Sequence, residues 1–207
     1  MYRKFKAWLY PTSIFDHFKY AEEYLKAGIP VYVPEEAHGT LSREYDEQKV
    51  VHDGGHYEVG RFTIYPFPAF HDVDCLGYAI VHPDTGMIIF ATDTAYIKKN
   101  FKQHKPSHIL IECNHSWDAI DRNVQDGTMD MALANRIKST HMSLETCRTF
   151  VSANKTSMLD NVILLHLSDS NSNSEQFRNE MQEVVGKDTR VWVADKGLEV
   201  RLDLFPW

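Results

Sequence analysis

The chain is poor in cysteine, has no long apolar run and carries no excess of basic charge. Only Cys75, Cys113 and Cys147 occur in 207 residues, with no paired spacing. An odd, sparse count argues against a disulfide framework and for a reducing compartment, so a cytoplasmic location is expected. No apolar stretch approaches the ~20 residues of a membrane helix. The opening MYRKFKAWLYPTS is basic but lacks the apolar segment of a secretory signal, so neither export nor a membrane partner is expected. A formal net charge of −7 argues against a broad phosphate-binding surface. It leaves open nucleic acid at a site where metal ions supply the positive charge. There is no internal repeat, low-complexity tract or linker.

The remaining composition, 43% hydrophobic and 25% charged, is that of a globular protein. The length suits one core, and residues 1–207 read as a single domain. Histidine is abundant, with eleven residues to sort between structure and chemistry.

The most informative stretch is FTIYPFPAFHDVDCLGYAIVHPDTGMIIFATDT, Phe62 to Thr94. Phe62, Ile64 and Pro66 alternate with Thr63, Tyr65 and Phe67, which predicts a strand. His71-Asp72 follows where that strand should end. Leu76–Val81 reads as a second strand, Pro83-Asp84-Thr85-Gly86 as a turn and Met87–Ala91 as a third strand, with Asp93 just past its end. A hairpin is thus bracketed by an imidazole and a carboxylate, at strand ends where sites are commonly built.

Elsewhere the pattern predicts a helix over Asp16–Ala27 ended by Gly28, and a strand over Pro30–Val33. Lys49–His52 and His56–Val59 flank Asp53-Gly54-Gly55 as a hairpin. A buried-type strand is expected over His108–Glu112. Helices are expected over Asp118–Val124, Asp130–Lys138 and Ser143–Ala153, the last with Ser143 as N-cap. The apolar strand Val162–Leu165 delivers His166, and the helix Ser174–Val185 is closed by Gly186. Arg190–Val193 and Leu198–Leu202 read as final strands. Hairpins first and helix–strand alternation later make this a mixed α/β (α+β) domain.

Asp16-His17, His71-Asp72, Asp93 and His166 each stand at the end of a predicted strand or the start of a helix. Singly, each has an ordinary reading: a lone histidine there is more often a surface or capping residue. Asp16 serves equally as an N-cap, and Asp93 closes a turn with Thr92 and Thr94. Jointly they supply nitrogen and carboxylate ligands on separate rigid elements, as Zn, Mn or Fe sites need.

The order DH…FHDVDCLGYAI…FATDT…IECNH…STHMSLETC…LLHLSDSNSN, from about Asp16 to Leu202, resembles the metallo-β-lactamase superfamily. Within it, the tRNase Z-like and phage or bacterial single-domain hydrolases look most similar. HDVDCLGYAI followed by ATDT resembles the stretch with the third-motif histidine and the metal-bridging aspartate. LLHLSDSNSN resembles the last metal histidine. STHMSLET resembles a histidine beside or within the catalytic site, and IECNH the strand whose glutamate supports it.

One motif departs. Where the family has HxHxDH, this chain reads Thr12-Ser13-Ile14-Phe15-Asp16-His17, with Thr12 and Ile14 in place of two histidines. Only Met1–Pro11 precede it, where the family has several strands, so the expectation is an N-terminally incomplete member. An uncovered sheet edge would follow, covered by the aromatic start (Tyr2, Phe5, Trp8, Tyr10) or by a second copy in a homodimer.

The resemblance implies an αββα sandwich of two mixed sheets with helices outside. It implies a dinuclear site holding one or two ions of Zn²⁺, Mn²⁺ or Fe²⁺. Asp16, His17, Asp93 and His166 match the ligands of one metal. The other keeps only His71 and Asp93, with His115 and His141 as available helpers. Asp16 is expected to orient or deprotonate the nucleophile, and His141, supported by Glu112, to assist the leaving group. His38, His52, His56, His82, His104 and His108 read as surface or structural. The implied activity is phosphodiester hydrolysis on RNA or DNA ends or a cyclic nucleotide, and the acidic charge tilts this toward a small nucleotide. The rival is an inactive remnant serving as a binding or structural protein. A thiol-ester or lactam hydrolase rests on superfamily breadth alone.

Overall fold

The computed structural model describes residues 8–9, 20–37 and 45–204. Three short strands, β1 (Trp8–Leu9), β2 (Val31–Pro34) and β3 (Gln48–Val51), form a small parallel sheet. The large sheet has seven strands: β4 (Tyr57–Val59), β5 (Phe62–Phe70), β6 (Asp74–His82), β7 (Gly86–Ala91), β8 (His108–Glu112), β9 (Asn161–Leu165) and β10 (Arg190–Val193). Their order is β10-β9-β8-β7-β6-β5-β4. Pairing is antiparallel from β4 to β7 and parallel from β7 to β10, so this sheet is mixed. The described strands of the small sheet are all parallel, which corrects the expectation of two mixed sheets.

Five described helices complete the fold: α1 (Ala21–Lys26), α2 (Trp117–Gln125), α3 (Met131–Thr140), α4 (Leu144–Asn154) and α5 (Ser174–Val185). Each of the last four starts on a polar cap whose side chain takes a backbone N–H: Ser116, Asp130, Ser143 and Asn173. Gly186 ends α5 with φ +76, as its freedom from a Cβ allows.

Alternation in the strands decides the layers. Ile89, Ile109, Ile111, Val162 and Leu164 face α4 and α5, meeting Val151, Phe177 and Met181. Each such side chain contributes about 1.5–3 kcal/mol on burial. The opposite face of the large sheet, through Ile64 and Tyr78, packs against Val51 and Tyr32 of the small sheet. Ala21 and Leu25 of α1 cover the small sheet's outer face over Val31 and Val33. Helix, small sheet, large sheet and helices thus give the αββα sandwich. Among the described residues no helix is long and apolar enough to cross a membrane.

Two expected elements differ. β3 and β4 do not form a hairpin: β3 pairs with β2, and β4 with β5. Val51 and Val59 are both buried in the cluster between the sheets, so the Asp53-Gly54-Gly55 turn carries the chain from one sheet to the other. Leu198–Leu202 is not a strand. Leu202 O accepts from His108 Nε2 at 2.9 Å and Leu204 N donates to Asp84 O at 2.8 Å. The tail therefore runs across the amino ends of β7 and β8 instead of beside β10. Of the predicted helix Asp16–Ala27, Ala21–Lys26 is helical, and residues 16–19 lie outside the described part.

Candidate metal centre

β5, β7, β8, β9 and β10 all run in one direction, because β6 is antiparallel to both β5 and β7. Their carboxyl ends share one edge, the usual place for a ligand site in such sheets. His71 follows β5, Asp93 follows β7, Glu112 ends β8 and His166 follows β9. Ala91 lies opposite Ile111, and Glu112 opposite Leu165, so the ends are level. His141 arrives differently, as the residue closing α3. Asn114 N donates to Met142 O at 2.8 Å and Leu144 N to His115 O at 2.7 Å, which draws the segment carrying His141 to the end of β8.

Asp93, Glu112, His141 and His166 each place one ligand atom within 4.8 Å of the others. Glu112 Oε1 lies 2.7 Å from His141 Nδ1 and 3.0 Å from His166 Nδ1, and its Oε2 accepts from Thr94 N at 2.7 Å. Burial pushes the Glu112 carboxyl up, but the hydrogen bonds from both histidines outweigh it and hold the pKa below the usual range. An ionised carboxylate only accepts, so both rings carry a proton on Nδ1 and present Nε2 elsewhere. His166 Nδ1 also lies 3.3 Å from Asp93 Oδ1. Its hydrogen bond to Glu112 raises the His166 pKa against the opposing effect of burial.

The backbone is strained at two of these residues. Asp93 has φ +48 and His166 φ +56, both in the left-handed region that few side chains enter. Hydrogen bonds hold each in place: Asn114 Nδ2 donates to His166 O at 2.9 Å, and Thr94 Oγ1 donates to Tyr96 O at 2.8 Å while accepting from Phe70 N at 2.9 Å.

His71 stands edge-on to His141, ring centroids 5.1 Å apart. Its side chain is 4% exposed, and burial lowers its pKa. Nδ1 comes within 2.5 Å of Asp72 Oδ1, although the angle is not that of a formed hydrogen bond, and Nε2 has no partner. His115 is fully buried with neither ring nitrogen partnered, and burial drives its pKa down to about 4. Clefts of about 730 Å³ beside His166 and about 400 Å³ beside His71 open on this edge.

Of the residues singled out in the sequence, Asp93, His141, His166 and Glu112 come together, with His71 against His141. Asp16 and His17, like Thr12 and Ile14, lie outside the described residues. Glu112 was expected to support His141 and also binds His166, which sequence reasoning missed. The signal was present: a lone carboxylate ending the apolar strand HILIE must find buried donors. His52, His56 and His104 are not buried, while His82 and His108 are. His82 packs on Phe62 at 4.3 Å, and His108 bonds Leu202 O and Asn161 Nδ2. His38 lies outside the described residues. Asp93 and His166, with the orphaned His71 Nε2 beside them and Glu112 and His141 in the same cluster, offer nitrogen and carboxylate donors of the kinds that fit Zn, Mn or Fe.

No protein-family model matches the chain, and no curated protein matches it. Solved structures do. The metallo-β-lactamase fold protein YhfI from Bacillus subtilis aligns with a TM-score of 0.69 at 18% identity, over 93% of this chain and 76% of that one. Zn²⁺-bound PqqB from Methylobacterium extorquens gives 0.63 at 14%, over 93% and 72%. Human tRNase Z, short form, gives 0.59 at 13%, over 96% and 80%. The chain has the metallo-β-lactamase fold.

Proposed function

We infer that this protein is a metal-dependent hydrolase acting on a phosphodiester of a nucleotide or nucleic acid. The observation that carries this reading is the single buried carboxylate of Glu112 holding both His141 and His166 by Nδ1, beside Asp93. Asp93 and His166, with Asp16 and His17, would hold the ion. When bound, it supplies a Lewis acid that polarises a phosphoryl oxygen and acidifies water.

The chain's own residues do the rest. Glu112 fixes the His141 ring through Nδ1–H, so Nε2, once protonated, is the atom that gives a proton to the leaving oxygen and is left bare. The same carboxylate sets the His166 ring, leaving its Nε2 as donor atom, a common outer-shell arrangement around metal-binding histidines. Asp16 is the candidate to orient the attacking water. The cleft of about 730 Å³ beside His166 falls in the range that takes a small ligand. Its Asp169 and Asp195 against one lysine, Lys196, favour a small nucleotide over a long polyanion. The fold's likeness to a Zn²⁺-bound protein and to a protein named a tRNase supports the metal and the substrate class.

The test is elemental analysis after purification without chelator, with hydrolysis of bis(p-nitrophenyl) phosphate and of cyclic nucleotides by wild type and by His141→Ala. Bound metal and hydrolysis that falls in His141→Ala are expected. Metal without hydrolysis of any diester would favour the non-catalytic reading that Thr12 and Ile14 support. A chain that binds no metal at any supply overturns the proposal.

A further inference from the structure

We propose that Asp72 and Arg136 are positioning residues that lock His71 as its Nδ1–H tautomer, leaving Nε2 bare for the metal centre. The assignment rests on reading His71 as a residue of that centre, but its test needs no activity.

His71 sits directly after β5, where the chain turns into β6. Its side chain is nearly sealed, at 4% exposed, so the orientation of its two nitrogens is set by protein groups and not by bulk water. Asp72 Oδ1 is 2.5 Å from Nδ1. Two bare acceptors that close would repel, so Nδ1 carries a proton that faces the carboxylate, an ion-pair contact whose angle in the structure falls short of a formed hydrogen bond. A neutral ring with Nδ1 protonated has Nε2 unprotonated. That atom is buried and has no partner in the structure, an expensive state for a polar atom unless a ligand satisfies it.

Arg136 supplies the other half. It projects from α3 and donates to Asp72 Oδ2 from Nη2 at 3.0 Å and from Nε at 3.3 Å. The Asp72 carboxylate is thus held on one oxygen by a guanidinium and presents the other to His71. The guanidinium at hydrogen-bond distance holds this carboxylate in its accepting role. Arg136 also ties the loop bearing His71 to the helix that ends in His141. The two rings meet edge-on, so the pair fixes their spacing as well as the tautomer. Aspartate backing the far nitrogen of a metal-facing histidine is the arrangement that raises ligand basicity and fixes ring orientation.

The test is long-range ¹H–¹⁵N correlation of ring nitrogens in ¹⁵N-labelled protein at mildly alkaline pH. The His71 signals are identified by their loss in His71→Gln. Wild type should show Nδ1–H with bare Nε2, and added Zn²⁺ should shift the Nε2 resonance. Asp72→Ala should convert His71 to Nε2–H, the form favoured by free imidazole, and lose the Zn²⁺ shift. Arg136→Ala should give a mixture, and Arg136→Lys should restore most of the wild-type pattern. Backbone amide spectra report whether each variant is folded. An Nε2–H tautomer in wild type overturns the proposal without any variant. So does an Asp72→Ala protein that stays folded and keeps Nδ1–H. A correct tautomer with no Zn²⁺ shift removes His71 from the metal centre, and with it the role assigned to Asp72 and Arg136.

Discussion

The backbone N–H of Thr94 donates to Glu112 Oε2 at 2.7 Å, joining the loop after β7 to the end of β8. Glu112 therefore serves two purposes: Oε2 anchors the loop that carries Asp93, and Oε1 aligns two histidines. Removing it should cost stability and chemistry together. Glu112→Ala strips the acceptor from Thr94 N, which is fully buried, and from two ring N–H groups that water can partly reach. A buried orphan costs about 1–3 kcal/mol, so a loss of roughly 2–4 kcal/mol in urea unfolding is expected. Glu112→Gln places an NH₂ against N–H donors and should lose activity as severely. A Glu112→Gln protein with wild-type hydrolysis would remove Glu112 from the mechanism.

Asp93 offers a way to separate backbone strain from ligand chemistry. At φ +48 it occupies a conformation that asparagine shares readily and alanine does not. Asp93→Asn should fold nearly as well as wild type yet bind metal much more weakly. Asp93→Ala should lose metal and also about 1–2 kcal/mol of stability. Parallel metal titrations and thermal melts distinguish the two effects. Equal melting of the Asn and Ala proteins would mean that the left-handed backbone is not the source of strain.

His115 sets a pH dependence. Its folded-state pKa of about 4 lies below the unfolded value of ~6.5, so between them the unfolded chain binds a proton that the folded chain does not. This contribution is fully present above pH ~6.5 and lost as pH falls toward 4, on the order of 3 kcal/mol in all. His166 acts in the opposite sense, because its pKa is raised on folding. The difference between wild type and His115→Leu isolates the first effect. The variant removes two buried nitrogens that have no partner, so it should be as stable at pH 7 or more so, and should lose less on acidification. An identical acid slope in both proteins would count against a neutral, sealed His115.

The legible parts of this fold were those fixed by local chemistry. Ser143 was identifiable as a cap, Gly186 as a helix end, and the Phe62–Thr94 stretch as strands bracketed by His71 and Asp93, because each depends on residues near in sequence. The Asp53-Gly54-Gly55 turn misled for the same reason. It has hairpin chemistry, but burial of both Val51 and Val59 between two sheets decides the pairing. The Arg136–Asp72 contact spans 64 positions and leaves no local trace. His115 is hidden similarly: only the pairing of its backbone with Ser143 puts a polar ring into a sealed place. For the centre itself the residue types were readable, while the double use of Glu112 needed the level ends of β8 and β9.

The ligand count sets the number of ions the chain should hold. Asp16, His17, Asp93 and His166 make one complete ligand set by resemblance, whereas the neighbouring position keeps only His71 and Asp93. Two protein ligands are too few for tight zinc binding, so about one ion per chain is expected to survive purification, and the His71 position fills only when Zn²⁺ is added. A two-metal displacement clamps the attacking and leaving oxygens from both sides. With one ion, hydrolysis should run orders of magnitude below that of a protein with both. Thr12→His together with Ile14→His is the direct test. In an extended segment, residues two apart share a face, so both rings can reach one ion, with His71 completing the set. A second ion and faster hydrolysis of bis(p-nitrophenyl) phosphate should appear together, and Asp93→Ala in the same background should abolish both. If elemental analysis finds two tightly held ions in wild type, other residues already replace Thr12 and Ile14. If the double variant gains no ion, the segment before Asp16 does not lie where the resemblance puts it.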